Sequence, residues 1–323
     1  MSRIVASLSR RALLAAVVAS VAVAAVPSLA APAEPLVTPQ WLNEHRSKAD
    51  VVVLDIRSVI DGGGAEAYAE AHIPGAIHSD YNKAGWRVAR NGHPLYVPSQ
   101  TALEKLIGET GIDEDSHVVI VPAGVSATDF GAAARIYWTL KAAGHPSLAI
   151  LDGGFAAWQA ADLPVESGKN TLPPKIFSGK FNEAMLAELE QVEQNPNATL
   201  VDARPASQFS GHEKASLAKA YGHIPGAVNI DSASFYDPAT NRLRPKEQLA
   251  AIAGKLPAGP VVTYCNTGHW AATDWFVLSE ILGRPNVRLY AGSMVEWSAD
   301  PRRPVASSRT RWDDVKKALG MGL

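Results

Sequence analysis

Short apolar runs alternate with helix-like stretches along most of the chain. Val51–Leu54, Val118–Val121 and Val261–Tyr264 are rich in β-branched side chains, which is typical of buried strands. After the third run the spacing becomes helical from Ala271, and Gly283 is a signal for the end of that helix. Strands that alternate with helices predict an α/β fold in which a parallel sheet is flanked by helices.

Signals for a helix start precede this pattern at two places. Thr38 is a capping residue, and Pro39 follows it at the first helical position. Asn182 is a second capping residue, and Glu183 supplies the acidic side chain that an early helical turn favours. Each signal is followed by a strand, a mixed loop, another strand, a helix and a further strand. The chain is therefore expected to contain two similar units.

Three motifs occur in the same order in both halves, which indicates a duplicated domain. They are Asp-x-Arg after an apolar run (residues 55–57 and 202–204), His-Ile-Pro-Gly-Ala (residues 72–76 and 223–227), and a segment that ends in Trp (residues 151–158 and 290–297). We predict one domain at 35–166, a linker rich in Pro and Gly at 167–180, and a second domain at 181–305. The tail, 306–323, has the spacing of a short helix.

The only cysteine, Cys265, lies between a predicted strand and a predicted helix. At such a junction, backbone N–H groups and the helix dipole favour a thiolate, which is the reactive form of the side chain. Ligands also bind at this edge of an α/β sheet. The glycine at 268 allows the loop to curl back around the sulfur. We therefore interpret Cys265 as a candidate nucleophile.

The alternative is that Cys265 is inert, because a single cysteine is usually buried packing. The repeat bears on this choice, since the matching position in the first copy is near Pro122 and has no thiol. The segment from Pro122 to Gly144 is also four residues longer than the segment from Cys265 to Gly283. We expect the second domain to perform the chemistry and the first to be structural, or to shape one wall of a cleft.

The first 30 residues have the pattern of an export signal of the twin-arginine kind. Arg3, Arg10 and Arg11 precede an apolar run at 13–26, and the segment ends in Ser-Leu-Ala at 28–30. The run is short for a bilayer span, so we expect export with cleavage to the periplasm or outside, although a retained anchor is the alternative. Removing these residues takes the net charge from −2 to −5, and nothing in the sequence indicates nucleic-acid binding.

Taken together, the duplicated motifs and the segment from Cys265 to Ala271, Cys-x-x-Gly-x-x-Ala, resemble the tandem-domain rhodanese family over residues 35–305. This family comprises thiosulfate and 3-mercaptopyruvate sulfurtransferases. The resemblance implies two rhodanese-like domains, an active cysteine in the second domain only, and a substrate-binding arginine at Arg204. The loop after Cys265 departs from both usual patterns, the basic residues of thiosulfate enzymes and the small residues of mercaptopyruvate enzymes.

The reaction implied is a double displacement. The Cys265 thiolate attacks the outer sulfur of a small anionic donor, thiosulfate or 3-mercaptopyruvate, and a persulfide forms. A thiophilic acceptor, such as cyanide or a thiol, then removes the terminal sulfur. Loop amides would stabilise the anionic sulfur without a neighbouring base.

For Arg204 and for the side chains of the loop after Cys265, the sequence allows either a functional or a packing role. Arg204 is the candidate that grips the anionic donor, unless it forms an internal ion pair with Asp202. His269 either places a proton or partial positive charge near the donor or faces solvent. The remaining candidates for the pocket are Asn266, Thr267, Gly268 and Trp270, with Thr267 alternatively capping the next helix. Trp275, His72 and His223 are expected to be structural.

Other classes lack a required feature. A phosphatase of related fold needs Cys-x₅-Arg, and Ala271 stands at that arginine's place. A thiol–disulfide oxidoreductase would have Cys-x-x-Cys, and Gly268 fills the second position. No metal site or cofactor is expected, because the nine histidines lack ligand spacing. A non-catalytic rhodanese-like module that binds sulfur or a partner remains the main alternative.

Overall fold

The computed structural model describes residues 34–194 and 197–310 of the chain. The predicted export signal and the predicted helix of the tail lie outside these residues. Among the described residues, no helix combines the length and the apolar character that crossing a membrane would require.

Thirteen strands and ten α-helices make up the regular structure of these residues. The strands are β1 (Leu36–Val37), β2 (Val51–Asp55), β3 (Ile77–His78), β4 (Val88–Arg90), β5 (His93–Tyr96), β6 (His117–Val121), β7 (Leu148–Leu151), β8 (Thr199–Asp202), β9 (Val228–Asn229), β10 (Tyr236–Asp237), β11 (Arg242–Leu243), β12 (Val261–Tyr264) and β13 (Val287–Leu289). The helices are α1 (Pro39–His45), α2 (Ala65–Glu70), α3 (Gln100–Glu109), α4 (Ala127–Ala142), α5 (Gly154–Ala160), α6 (Leu189–Gln194), α7 (Ala206–Ser210), α8 (Lys246–Ala253), α9 (Trp270–Phe276) and α10 (Ser293–Trp297).

Each half of the chain forms one parallel sheet. The first sheet has the order β1-β7-β6-β2-β3, and the second has the order β13-β12-β8-β9. An isolated parallel bridge between Leu186 and Leu289 occupies the place in the second sheet that β1 has in the first. Two small antiparallel pairs, β4-β5 and β10-β11, lie within the stretches that the sequence indicated only as loops. The expected α/β architecture with two parallel sheets is confirmed.

Both faces of each sheet are covered, which explains the continuous apolar runs of the central strands. One hydrophobic cluster spans both halves, and each sheet has a smaller cluster on its other face. The shared cluster runs through α4 and α9, where Phe276 packs edge-on against Phe130 and Tyr137. Two helices that follow equivalent strands therefore join the two copies.

The two helix starts have different outcomes. Thr38 caps α1 as predicted, because its hydroxyl accepts a 3.1 Å hydrogen bond from the Trp41 N–H. Asn182 caps only a 3₁₀ turn, Glu183–Met185, because the chain becomes extended at Leu186 to join the second sheet. The prediction of an α-helix that begins at Asn182 is therefore wrong, because the residues there form a 3₁₀ turn.

The helix after Cys265 agrees with its prediction more closely. It begins at Trp270, one residue earlier than expected, and a π-helical turn, Val277–Ile281, continues it. Gly283 follows with a φ of 66°, the left-handed conformation that ends helices. Trp275 is 1% exposed, as expected of a core residue.

Residues 167–180, the predicted linker, contain no helix or strand and lie along the first domain. The Lys175 N–H donates to the Gly108 carbonyl at 2.9 Å, and the Gln100 side chain donates to the Gly179 carbonyl at 2.9 Å. Phe177 is buried. The connection is therefore fixed to the first domain by one backbone hydrogen bond, by one hydrogen bond from a side chain and by one buried aromatic ring.

Candidate active site between the two domains

Cys265 directly follows β12, the central strand of the second sheet, at its carboxyl end. Its side chain is buried, yet it lines a cavity of about 320 Å³. A thiol in this position can be reached by a small molecule that enters the cavity, but not by a flat molecular surface. Cys265 thus belongs to the hydrophobic core and also borders open space on the cavity side.

The segment around Ser293 holds the cysteine in place. The Ser293 hydroxyl accepts a 3.0 Å hydrogen bond from the Cys265 N–H and donates a 2.8 Å bond to the Tyr290 carbonyl. The N–H groups of Met294 and Val295 donate to the carbonyls of Cys265 and Asn266. Ser293 has a φ of 51°, a strained value for a residue with a side chain. The third repeated motif therefore positions Cys265, the candidate nucleophile, a role that the sequence did not reveal.

The same backbone bonds occur in the first domain and identify its equivalent position. Phe155 donates to the Pro122 carbonyl, and Ala156 donates to the Ala123 carbonyl. Pro122 follows β6 as Cys265 follows β12, so the predicted match between these positions holds in three dimensions.

In the first domain, a side chain from the following helix accepts the hydrogen bonds of the equivalent loop. The Asp129 carboxylate accepts hydrogen bonds from the N–H groups of Ala123, Gly124 and Val125, at 2.5 to 3.2 Å. In the second domain, no oxygen of the described residues accepts a hydrogen bond from the N–H groups of residues 266–269. The amides that could serve an anion are thus occupied in the first domain and available in the second.

Both domains contribute to the cavity. The first domain supplies Ile60, Asn82, Arg87, Leu95 and Thr128, and the second supplies Ala215, Ser216, Leu217, Cys265, Asn266, Thr267, His269 and Trp270. The expectation that the first domain shapes one wall is in agreement with this arrangement. Among the described residues that line the cavity, Arg87 carries the only positive charge, and none is acidic.

Sequence analysis did not identify Arg87, because it belongs to no repeated motif and lies far from Cys265 in the chain. Its guanidinium donates a 2.6 Å hydrogen bond to the Asn82 side chain and stacks 4.0 Å from the centre of the Tyr81 ring. Its Nε is buried and has no hydrogen-bond partner in the described part of the chain. The group is thus positioned and has a free donor for an anion in the cavity.

His269 fits neither of its two predicted roles. It is buried between the domains, where Tyr81 donates a 2.6 Å hydrogen bond to Nδ1, and Nε2 donates a 2.8 Å bond to the Thr128 carbonyl. Burial, together with the charges of Arg87 and Arg135, lowers the pKa of His269 to about 3. The imidazole is therefore neutral, and it links the loop after Cys265 to the first domain.

The other predicted loop residues have distinct positions. Asn266, Thr267 and Trp270 line the cavity, whereas Gly268 does not. Asn266 donates a 2.9 Å hydrogen bond to the Gln208 side chain, and the Trp270 indole donates to the Thr128 hydroxyl at 3.2 Å. Gly268 has a φ of 73°, which is the turn that the glycine was expected to permit.

Arg204 corresponds to its alternative interpretation and not to the donor-binding role. Its side chain is fully buried, it pairs with Asp202 at 2.5 Å, and it donates to the Gly222 carbonyl at 2.8 Å. Arg57 makes the same contacts in the first domain, with Asp55 and with the Ala71 carbonyl. Since the pattern is identical in the domain without a thiol, we assign the Asp-x-Arg motif to fold stabilisation and correct the prediction for Arg204.

The histidines of the His-Ile-Pro-Gly-Ala motifs hold turns, as expected. His72 contacts the Tyr68 carbonyl through Nδ1 at 2.7 Å, and His223 contacts the Phe209 carbonyl in the same way. No group of three or more His, Cys, Asp or Glu side chains in the described residues is placed to hold a metal ion.

Comparison with known proteins agrees with this geometry. The model of the rhodanese-like domain family matches twice, at residues 38–161 and 185–300. A probable 3-mercaptopyruvate sulfurtransferase of Pseudomonas aeruginosa is 38% identical over 288 residues, which cover 84% of this chain and 98% of that protein. The 3-mercaptopyruvate sulfurtransferase of Escherichia coli K12 is 30% identical, covering 82% and 95%.

A solved structure has a similar fold over most of the chain. The crystal structure of SseA from Escherichia coli superposes with a TM-score of 0.68 at 27% identity, and the match covers 80% of this chain and 98% of that one.

Proposed function

The chain belongs to the rhodanese family and is a sulfurtransferase, and from this premise we propose that 3-mercaptopyruvate is its sulfur donor and that Cys265 carries the sulfur. The expectations of family, of two rhodanese-like domains and of sulfur transfer are confirmed. One observation carries the proposal for the donor. The single thiol of the chain lines a small cavity in which Arg87 is the only charged side chain among the described residues.

The charge of the cavity favours 3-mercaptopyruvate over thiosulfate. 3-Mercaptopyruvate carries one carboxylate, which one guanidinium can neutralise through a pair of hydrogen bonds. Thiosulfate carries two negative charges, and Arg87 is the one guanidinium among the described residues of the cavity lining, so one charge of the dianion would lack a cationic contact there. Leu95 and Leu217 on the lining suit the carbon skeleton of the organic donor. Thiosulfate is accordingly the slower donor.

Transfer takes place in two displacements. The Cys265 thiolate attacks the sulfur of 3-mercaptopyruvate, a sulfur–sulfur bond forms, and the carbon–sulfur bond breaks. The electron pair of the carbon–sulfur bond stays with the carbon fragment, which leaves as the enolate of pyruvate. This enolate takes up the proton of the donor thiol and becomes pyruvate. A cysteine persulfide remains, and the uncapped amides of residues 266–269 supply hydrogen bonds for its negative charge.

The second displacement returns the enzyme to its starting state. A thiophilic acceptor, cyanide or a small thiol, attacks the outer sulfur and leaves Cys265 as the thiolate. Because Cys265 is 1% exposed, the acceptor must enter the cavity. Small acceptors are therefore favoured over a cysteine on the surface of a folded protein.

We also propose that the enzyme is exported to the periplasm or outside the cell. The support is the arginine-rich start, the apolar run and the Ser-Leu-Ala sequence within residues 1–30. Expression of the full chain, followed by cell fractionation and N-terminal sequencing, tests this proposal. An unprocessed product in the cytoplasm would contradict it.

Intact-protein mass spectrometry tests the sulfur carrier and the donor. The enzyme is incubated with 3-mercaptopyruvate or with thiosulfate, without acceptor, and then weighed. We expect one added sulfur atom, formed faster with 3-mercaptopyruvate, and its loss on addition of cyanide. The Cys265→Ser variant should gain no sulfur and should melt within a few degrees of the parent. Faster loading by thiosulfate would overturn the donor, and transfer by Cys265→Ser would overturn the carrier.

A further inference from the structure

The loop after Cys265 accepts a hydrogen bond from an arginine of the first domain. Arg135 lies on α4 of the first domain, and its Nη1 donates a 2.9 Å hydrogen bond to the Gly268 carbonyl, three residues after Cys265. A side chain at Gly268 would come within 2.3 Å of that nitrogen, so the loop and the guanidinium are in close contact. Sequence analysis did not identify Arg135.

Arg135 is buried without a counter-ion. It is 1% exposed, and no carboxylate in the described part of the chain lies within ion-pair distance. Its Nε and Nη2 have no hydrogen-bond partner among the described residues. The Trp138 ring packs 5.3 Å from the guanidinium carbon. Burying an unpaired cation costs several kcal/mol of folding free energy. We therefore expect Arg135 to interact with an anion at this site.

The titratable groups that face Arg135 from the other elements of the first domain are neutral. Burial raises the pKa of Tyr81 and of Tyr96, so both are protonated at neutral pH. Burial lowers the pKa of His93 to about 4, so this imidazole carries no charge. None of these groups can balance the charge of the guanidinium.

The second domain places no carboxylate of the described residues within ion-pair distance of Arg135. His269 is neutral, and burial raises the pKa of the Asp274 carboxyl on α9, which favours its protonated form. Arg87 is a second cation nearby. Burial lowers the pKa of Arg135 to about 10, and Tyr81 and then Cys265 act in the opposite direction. The sulfur is thus the anion of the site that this cation can serve.

We propose that Arg135 is a positioning residue of the first domain that stabilises negative charge on the Cys265 sulfur, as thiolate and as persulfide, while its hydrogen bond to Gly268 holds the loop. This proposal deepens the sulfur-transfer function and rests on Cys265 as the carrier. It gives the domain without a thiol an electrostatic part in the reaction. The catalytic centre is therefore complete only when both domains are present.

Alkylation of the thiol by iodoacetamide tests the proposal without any sulfur donor. Cys265 is the only cysteine, so the rate of mass gain reports on this one sulfur. The rate is measured from pH 5 to pH 10 for the parent, Arg135→Gln and Arg135→Lys. We expect the midpoint of the pH profile to move upward by about one unit in Arg135→Gln. Arg135→Lys, which keeps the charge, should remain close to the parent.

Arg57→Gln is the matched control. Arg57 is also a buried arginine of the first domain, but it pairs with Asp55 and stabilises its own fold. This control should lower the melting temperature without moving the alkylation midpoint. An unchanged midpoint in Arg135→Gln, or equal upward shifts in the glutamine and lysine variants, would overturn the proposal. Alkylation does not depend on the donor, so failure here is distinguishable from failure to load sulfur.

Discussion

Tyr81 of the first domain donates a 2.6 Å hydrogen bond to Nδ1 of His269 in the catalytic loop of the second. Both side chains are buried, and the other imidazole nitrogen donates to the Thr128 carbonyl. These two bonds fix the tautomer of His269 and connect the loop that carries Cys265 to the opposite wall of the cavity. The position of Cys265, the proposed nucleophile, therefore depends on contacts between the domains.

Replacing Tyr81 by Phe removes the hydroxyl and leaves Nδ1 of His269 buried without a donor. The expected cost is about 1–3 kcal/mol of unfolding free energy, with a melting temperature lower by several degrees. We expect kcat for sulfur transfer to fall by about tenfold, because the loop loses its fixed position. Calorimetry and steady-state kinetics check both effects. Full activity with parental stability would show that the contact has no role.

Replacing Arg87 by Gln removes the cation that lines the cavity. We expect kcat/KM for 3-mercaptopyruvate to fall by about 10- to 100-fold, chiefly through KM, because a charge-assisted contact with the donor is lost. Arg90→Gln is the control, since Arg90 is about half exposed and lies near Glu188. The idea fails if both variants change KM equally.

Asp274→Asn should stabilise the protein at neutral and alkaline pH. Burial raises the pKa of Asp274, and neither carboxyl oxygen has a partner among the described residues. The unfolded chain releases this proton above about pH 4, whereas the folded chain keeps it. The folded state thus binds more protons, and the stability of the parent falls as the pH rises from 4 toward the raised pKa.

The measurement is the difference in melting temperature between Asp274→Asn and the parent, from pH 4.5 to pH 8.5. This difference should grow with pH in favour of the variant. Asp115→Asn, which changes an exposed carboxyl, should show a flat difference. A gap that shrinks as the pH rises would contradict a protonated Asp274.

His269→Gln should reduce the loss of stability in acid. The pKa of His269 is about 3 in the folded protein, against about 6.5 in an unfolded chain. Between these values the unfolded state binds more protons, so folding stability rises with pH through that window. The contribution is about 1.4 kcal/mol per pH unit, and a glutamine that donates to Thr128 removes it.

Denaturant unfolding at pH 4.5, 5.5 and 6.5 compares the slopes of the parent and His269→Gln. A steeper slope in the variant would refute the neutral imidazole. The shape of the pH profile for sulfur transfer by the parent should show no titration of His269 above pH 5.

The sequence was sufficient to predict those features of the fold that depend on neighbouring residues or on repeated motifs. The strands before Pro122 and Cys265, the duplication and the thiol at a strand end all rest on neighbouring residues or on direct repetition. Arg204 was misassigned because an Asp-x-Arg motif does not indicate whether the guanidinium turns inward. The structure shows that it pairs with Asp202, two residues before it.

Arg87 could not be predicted as a cavity residue, because the opposite wall of the cavity comes from the second domain. Arg135 and the burial of His269 could not be predicted, because both depend on how α4 of the first domain meets α9 of the second. That contact joins residues more than 130 positions apart, as in the bond from Arg135 to Gly268. No local pattern encodes it. Ser293 lies within the repeated segment 290–297, but repetition alone does not separate a structural motif from one that positions a reactive side chain.

The carboxylate of Asp129 has a consequence for any attempt to build a second carrier into this protein. It sits on the amides of the first-domain loop at the point where an ionised sulfur would need them. A cysteine introduced at Pro122 alone would meet a resident negative charge and would stay unreactive. A second carrier in the first domain would require replacing Asp129 as well as introducing the thiol.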